Sequence, residues 1–285
     1  MKVKTACISI TIFIAVLIAI SILVTLFQKD MPVGDKIALI RVEGPILDSK
    51  KTIEEIKEYV KDRSVKAIVV RVDSPGGGVV PSQEIYEEIK KATVVKKVVI
   101  SMGSLAASGG YYISSPASRI VANPGTTTGS IGVIMQMPNI KGFMDKLGIK
   151  SEVIASGKHK DIASPFRGIG KEERQILQSV MDDVHDQFIN AIADGRKMPV
   201  EAVRKIADGS VFSGRQALKI GLVDELGDLE DAIKAAAKMV GIKGEPNIVT
   251  KKERHPVLEL LGGRIPEGLL KIIPRSELKF ILPYY

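Results

Sequence analysis

From residue 36 to about residue 241 the chain alternates short β-branched runs with stretches whose apolar positions recur at helical spacing. Residues 37–42 (IALIRV) predict a strand, and 49–62 a helix that carries Ile53, Ile56 and Val60 on one face. Residues 65–72 (VKAIVVRV) read as a buried strand, 82–91 as a helix and 97–101 as a third strand. Residues 119–122, 131–135 and 152–155 extend the strand series. Helices are predicted over about 171–194, 200–207, 213–219 with Ser213 as its cap, and 228–240. Strand–helix units of this length build a parallel sheet covered by helices, so the expected fold class is α/β. Beyond Gly244 the pattern changes: Pro246, Pro256, Pro266, Pro274 and Pro283 cut the chain into short apolar pieces. Residues 245–285 therefore read as an extension along the surface rather than a second domain.

At the other end, residues 6–27 carry no charge and are interrupted only by Ser9, Thr11, Ser21 and Thr25. About 20 apolar residues in a helix span the hydrocarbon of a bilayer, which predicts a transmembrane anchor over 6–27. A cleaved secretory leader would have a shorter apolar region, about 7–15 residues, and a small-x-small cleavage site. Leu26-Phe27-Gln28-Lys29 offers no such site, so the anchor is expected to be retained. Lys2 and Lys4 precede the segment, whereas Lys29 is followed at once by Asp30. The positive-inside bias leaves residues 1–5 in the cytoplasm. It places the linker 28–35, the domain 36–244 and the extension 245–285 outside the cell membrane.

The 285 residues allow one large or two small domains. Apolar residues at 45% and charged residues at 26% mark a globular chain rather than a disordered one. The single cysteine, Cys7, excludes a disulfide framework and a cysteine zinc site. His159, His185 and His255 lack metal-ligand spacing, so neither a metal nor another cofactor is expected. The net charge of +8 is scattered among acids with no basic stripe, so nucleic acid is not an expected partner.

Two glycine-rich junctions follow predicted strands, where an α/β sheet places its ligands. In Asp73-Ser74-Pro75-Gly76-Gly77-Gly78 the glycines let backbone N–H groups approach an anionic oxygen. A plain tight turn fits that run as well, and phosphate-loop spacing does not. The second junction, Ser101 to Gly110, contains Ala106-Ala107-Ser108-Gly109-Gly110, a relaxed small-x-Ser-x-Gly elbow. A serine on a sharp turn before a helix needs small neighbours to present its hydroxyl, and the helix start adds a positive dipole end. On spacing alone Ser101 and Ser104 remain rivals to Ser108. Such a nucleophile needs a base. His185 lies in a helical pattern and His255 in the Pro-broken tail, which leaves His159 or Lys160 of Ser156-Gly157-Lys158-His159-Lys160-Asp161. A lysine acts as a base only when neutral, which requires a dry cleft or hydroxyl partners to draw its pKa down from about 10.4. A carboxylate beside it would hold the proton on, so Asp161 should face away if Lys160 is the base.

Together these pieces resemble the signal peptide peptidase A (SppA) family, membrane-bound serine peptidases with a Ser-Lys dyad. The matching segments are residues 73–78, Met102 to Tyr112, Thr128-Gly129-Ser130-Ile131-Gly132-Val133, and Ser156 to Asp161 with Ser164-Pro165. Residues 207–214 and Gly221-Leu222-Val223-Asp224 follow in the same order. The resemblance covers about residues 36–241 and includes the N-terminal anchor. It implies Ser108 as nucleophile, Lys160 as general base and Ser130 as the hydroxyl that orients the lysine. It implies the N–H groups of Gly77 and Gly109 as the oxyanion hole. The implied fold is a crotonase/ClpP-like α/β superhelix in a homo-oligomeric dome, with serine and lysine on the same polypeptide. The implied substrates are remnant signal peptides and misfolded membrane-associated polypeptides. The extension 245–285 has no family role and is expected to pack on a neighbouring subunit or to lie over the substrate groove. Two further readings stand beside this one: a related membrane serine peptidase that cuts one specific membrane protein, and a non-catalytic scaffold on the same fold.

Overall fold

The computed structural model describes residues 14, 16–18, 35–251 and 279–281. The chain falls into two compact units, residues 1–35 and 36–285. In the first, residues 14 and 16–18 are helical and exposed. The remainder of the predicted anchor 6–27 lies outside the described residues. Among the described residues no helix is long and apolar enough to cross a membrane.

The second unit begins with β1 (Lys36–Glu43), α1 (Lys50–Lys61), β2 (Val65–Ser74), β3 (Gly76–Gly78) and α2 (Val79–Val95). It continues through β4 (Lys97–Ala107), α3 (Gly109–Ser114), β5 (Arg119–Ala122), β6 (Thr127–Gly129) and α4 (Lys141–Lys146). Then come α5 (Lys171–Arg196), α6 (Val200–Arg204), β7 (Val211–Ser213), α7 (Gly214–Lys219), β8 (Glu225–Leu226) and α8 (Leu229–Met239). β9 (Asn247–Val249) and β10 (Lys279–Ile281) complete the order.

The main sheet runs β7-β6-β4-β2-β1-β9, with β5 paired to β4 and β8 to β5. Every pair in it is parallel except β6–β7. On one face Ile40, Ile68 and Ile100 pack against Ile56 of α1 and against Ile85 and Ile89 of α2. On the other, Leu39, Val69 and Val99 pack against Ala232, Ala236 and Ala237 of α8. Burial on both faces is why the central strands are unbroken apolar runs rather than alternating ones.

Two predicted strands do not form. Residues 131–135 form no strand beyond a single bridge residue at Ile134: Ile131 is fully buried, but its carbonyl accepts the N–H of Gly209 at 3.2 Å rather than a neighbour in the sheet. Residues 152–155 are irregular and exposed, with Ile154 fully open to solvent. Their β-branched composition has no strand to pair with, because no residue between 132 and 170 is buried. The helix predicted over 200–207 ends at Arg204.

Candidate active site

The site is built on a slip in register between β2 and β4. Val72 faces Met102, but Ser74 faces Ala106, so β4 holds two more residues than β2 over that stretch. The bulge, Gly103 to Leu105, lies opposite Asp73. The Leu105 N–H donates to Asp73 Oδ1 at 3.0 Å, and a Cβ at Gly103 would sit 2.6 Å from Asp73 Cγ. There the outer edge of β4 passes from β5, paired at Val99–Met102, to β6, paired at Leu105–Ala107. Thr126 Oγ1 donates to the Gly103 carbonyl at 2.7 Å and Thr128 Oγ1 to the Ala106 carbonyl at 2.6 Å. The end of β4 is therefore held from both sides.

Ser108 follows directly. It turns at φ 54° and ψ −118°, conformations that L-residues rarely adopt. Its N–H donates to the Gly129 carbonyl and its carbonyl accepts from the Tyr112 N–H, both at 2.8 Å, so one residue ends β4 and begins α3. This strand–turn–helix geometry is that of a nucleophile elbow. A Cβ at Gly110 would come within 2.8 Å of the Ser74 carbonyl, so glycine lets α3 start against the end of β2. The Gly109 N–H belongs to the first turn of α3, where amides have no intrahelical acceptor. Of the rival serines, Ser101 is buried mid-strand and its hydroxyl accepts from Arg71 at 2.9 Å. Ser104 is exposed on the bulge. Neither stands at the elbow.

Ser130 ends β6 at φ 50°, buried, with its N–H on the Ser210 carbonyl at 2.8 Å. A cavity of about 290 Å³ opens beside it, walled by Val133, Met181, His185 and Asp208.

The glycine run forms β3. The Gly76 carbonyl accepts from the Ile46 N–H and the Gly78 N–H donates to the Ile46 carbonyl, both at 2.8 Å. A Cβ on Gly77 would lie 2.0 Å from that carbonyl oxygen, so only glycine fits. With its neighbours turned toward Ile46, Gly77 directs its own N–H and carbonyl to the opposite side. There β10 runs antiparallel, with Phe280 across from Gly77, and it also lies against α2 and α3.

The two candidate bases lie in the segment that buries nothing. Lys160 is exposed, in a turn closed by its N–H on the Gly157 carbonyl at 3.1 Å. Among the described residues no hydrogen bond or ion pair engages its amine, and none joins it to Ser108 or Ser130. The dry cleft expected around Lys160 is thus not formed within one copy of the chain. His159 places Nε2 3.3 Å from Glu172 Oε1. Asp161 turns to Arg167, which reaches it through Nε at 2.7 Å and Nη2 at 2.9 Å. The same guanidinium binds Glu173 through Nη1 at 2.8 Å. Arg167 holds the Asp161 carboxyl below its usual range and brings Glu173 down to about 2. The sequence reading gave no role of their own to Asp73, Thr126, Thr128 and Arg167. Asp73 and Thr128 stand inside its motif segments, and Arg167 carries a signal in its spacing of six residues from both Asp161 and Glu173. Among the described residues no cluster of His, Cys, Asp and Glu is arranged to hold a metal.

Residues 90–243 match peptidase family S49. A Synechocystis sp. protein provisionally named a protease is 43% identical over 230 residues, 80% of this chain and 83% of its own length. A protein of Enterococcus faecium provisionally named signal peptide peptidase SppA is 37% identical over 220 residues, 71% of this chain and 63% of that protein. Protease 4 of Salmonella typhi is 39% identical over 220 residues, 74% of this chain and 35% of its own. With more than half of its length matched, and a protease relative largely covered at 43% identity, the chain belongs to peptidase family S49.

Proposed function

We propose that the protein is a membrane-anchored serine endopeptidase that cuts remnant signal peptides, with Ser108 as nucleophile and Lys160 as general base. The observation that carries this reading is the elbow at Ser108, a left-handed serine between the end of β4 and the start of α3. Neutral Lys160 takes the hydroxyl proton as Ser108 Oγ bonds to the substrate carbonyl carbon. The oxyanion accepts from the N–H groups of Gly77 and Gly109. Collapse breaks the peptide bond, and the departing amine receives the proton from Lys160. Water then gives a proton to Lys160 as it attacks the acyl-enzyme, and Lys160 returns that proton to Ser108 Oγ as the ester bond breaks. Ser130 accepts from or donates to the lysine and fixes its direction.

A lysine standing in water stays charged, so this chemistry requires Lys160 to be covered. The segment 132–170 also exposes Phe143, Leu147, Val153 and Ile154. A second copy of the chain packed on that apolar segment removes both from water, which supports a homo-oligomer as the working form. An extended substrate pairs with β3 in the position β10 now takes, and the cavity beside Ser130 receives one of its side chains. In this reading the tail is a strand that competes for the groove. The anchor 6–27 holds the catalytic unit at the outer face of the cell membrane, where remnant signal peptides lie.

A fluorophosphonate probe on detergent-solubilised full-length protein tests the reading. Labelling of the wild type at Ser108, its absence in Ser108→Ala and strong slowing in Lys160→Ala are expected. Equal labelling of Ser108→Ala removes the proposal.

A further inference from the structure

Between Ser156 and Glu173 the chain holds three carboxylates, Asp161, Glu172 and Glu173, and each is engaged elsewhere than at Lys160. Asp161 accepts from Arg167 at both oxygens, 2.7 Å from Nε and 2.9 Å from Nη2. Glu173 accepts from Nη1 of the same guanidinium at 2.8 Å, and from the Gly170 N–H at 2.8 Å. Glu172 accepts from Lys158 and faces His159. These six groups, Asp161, Glu172, Glu173, Lys158, His159 and Arg167, are the charges that act on the cluster. Lys160 is the immediate sequence neighbour of Asp161, yet no carboxylate among the described residues pairs with it.

That pattern suits a residue that must give up its proton. An opposite charge within reach favours the charged form of an amine, and a released Asp161 has only one residue to cross. Arginine suits the task of restraining it, because its planar fork grips both oxygens at once and stays charged at any working pH. Through Glu173 and the Gly170 N–H it also fastens the turn of Lys160 to the start of α5. We infer that Arg167 is a positioning residue for the proposed base: it holds the Asp161 carboxylate off the Lys160 amine and leaves that amine without a counter-ion. The inference rests on the reading of Lys160 as the general base.

The test is the pH profile of kcat/KM for a fluorogenic peptide, measured on the full-length protein in detergent. In Arg167→Ala the acid limb moves up by about one pH unit, a roughly tenfold loss at neutral pH that recovers toward alkaline pH. Adding Asp161→Asn to Arg167→Ala returns the limb to its wild-type position. Arg167→Lys, which keeps the charge but not the fork, shifts the limb by less and remains informative if the alanine variant folds poorly. A loss of equal size at every pH, not restored by Asp161→Asn, shows a purely structural arginine and overturns the inference. Undiminished turnover in Lys160→Ala overturns the dyad reading beneath it, and is recognisable separately because it involves no change at Arg167.

Discussion

Ser108 and Ser130 leave neighbouring parallel strands at the same rung: each follows its member of the Ala107–Gly129 pair, and each turns at left-handed φ, 54° and 50°. Two hydroxyl-bearing residues thus depart together at the carboxyl end of the sheet. The Ser108 N–H, bonded to the Gly129 carbonyl, locks the two turns to one another.

Such a backbone is strained for any residue but glycine, by about 1–3 kcal/mol. Ser108→Gly is expected to stabilise the fold by about 1 kcal/mol, a rise of roughly 2–4 °C in melting temperature. It should at the same time abolish probe labelling. A melting temperature that falls in this variant contradicts the strain at the elbow.

Asp73 acts on the same turn from below. Asp73→Ala leaves the Leu105 N–H without its acceptor and costs about 1–3 kcal/mol, whereas Asp73→Asn keeps an acceptor and costs less. Denaturant midpoints order the three proteins, and slower fluorophosphonate labelling of the alanine variant reports displacement of the end of β4. Equal stability of both variants removes Asp73 from this role.

The pairing of β10 with β3 leads to a third expectation. Removing residues 279–285 frees the edge where Gly77 presents its N–H, so kcat/KM for short peptides should rise, about tenfold for a modest competing strand. Phe280→Pro deletes one backbone donor of that pair in the full chain and should act in the same direction. A drop in turnover with both changes would assign the tail to holding the site together instead.

Acid should release the clamp around Arg167. The Glu173 carboxyl is lowered from 4.5 to about 2 by Arg167 first and by the Gly170 N–H second. Because its folded value is the lower one, its stabilising effect is complete above pH 4.5 and is lost as the pH falls through about 2. Asp161 shifts in the same direction for the same cause. The denaturant midpoint of the wild type should therefore fall more steeply over that window than that of Glu173→Gln. Parallel curves would show that the carboxylate contributes nothing.

The strands β1, β2, β4 and β5 and the helices α1, α2, α5, α7 and α8 were legible in the order of residues, and the small neighbours of Ser108 marked it as an elbow candidate beside its rivals Ser101 and Ser104. Each rests on local rules: β-branched runs buried on two faces, apolar spacing along a helix, and space around a hydroxyl. The family resemblance added the roles proposed for Ser130, Gly77, Gly109 and Lys160. Tertiary structure alone decided the rest. The three-residue strand β6 exists because the long β4 offers it hydrogen bonds, while β7 and β3 pair with the equally short β6 and β10, and segments so short carry no periodicity. The bulge before Ser108 depends on a carboxylate 32 residues away. The exposure of Lys160 follows from a segment that touches its own copy through ion pairs to the start of α5 but buries none of its residues there, a matter of packing between distant parts that no stretch of sequence encodes by itself.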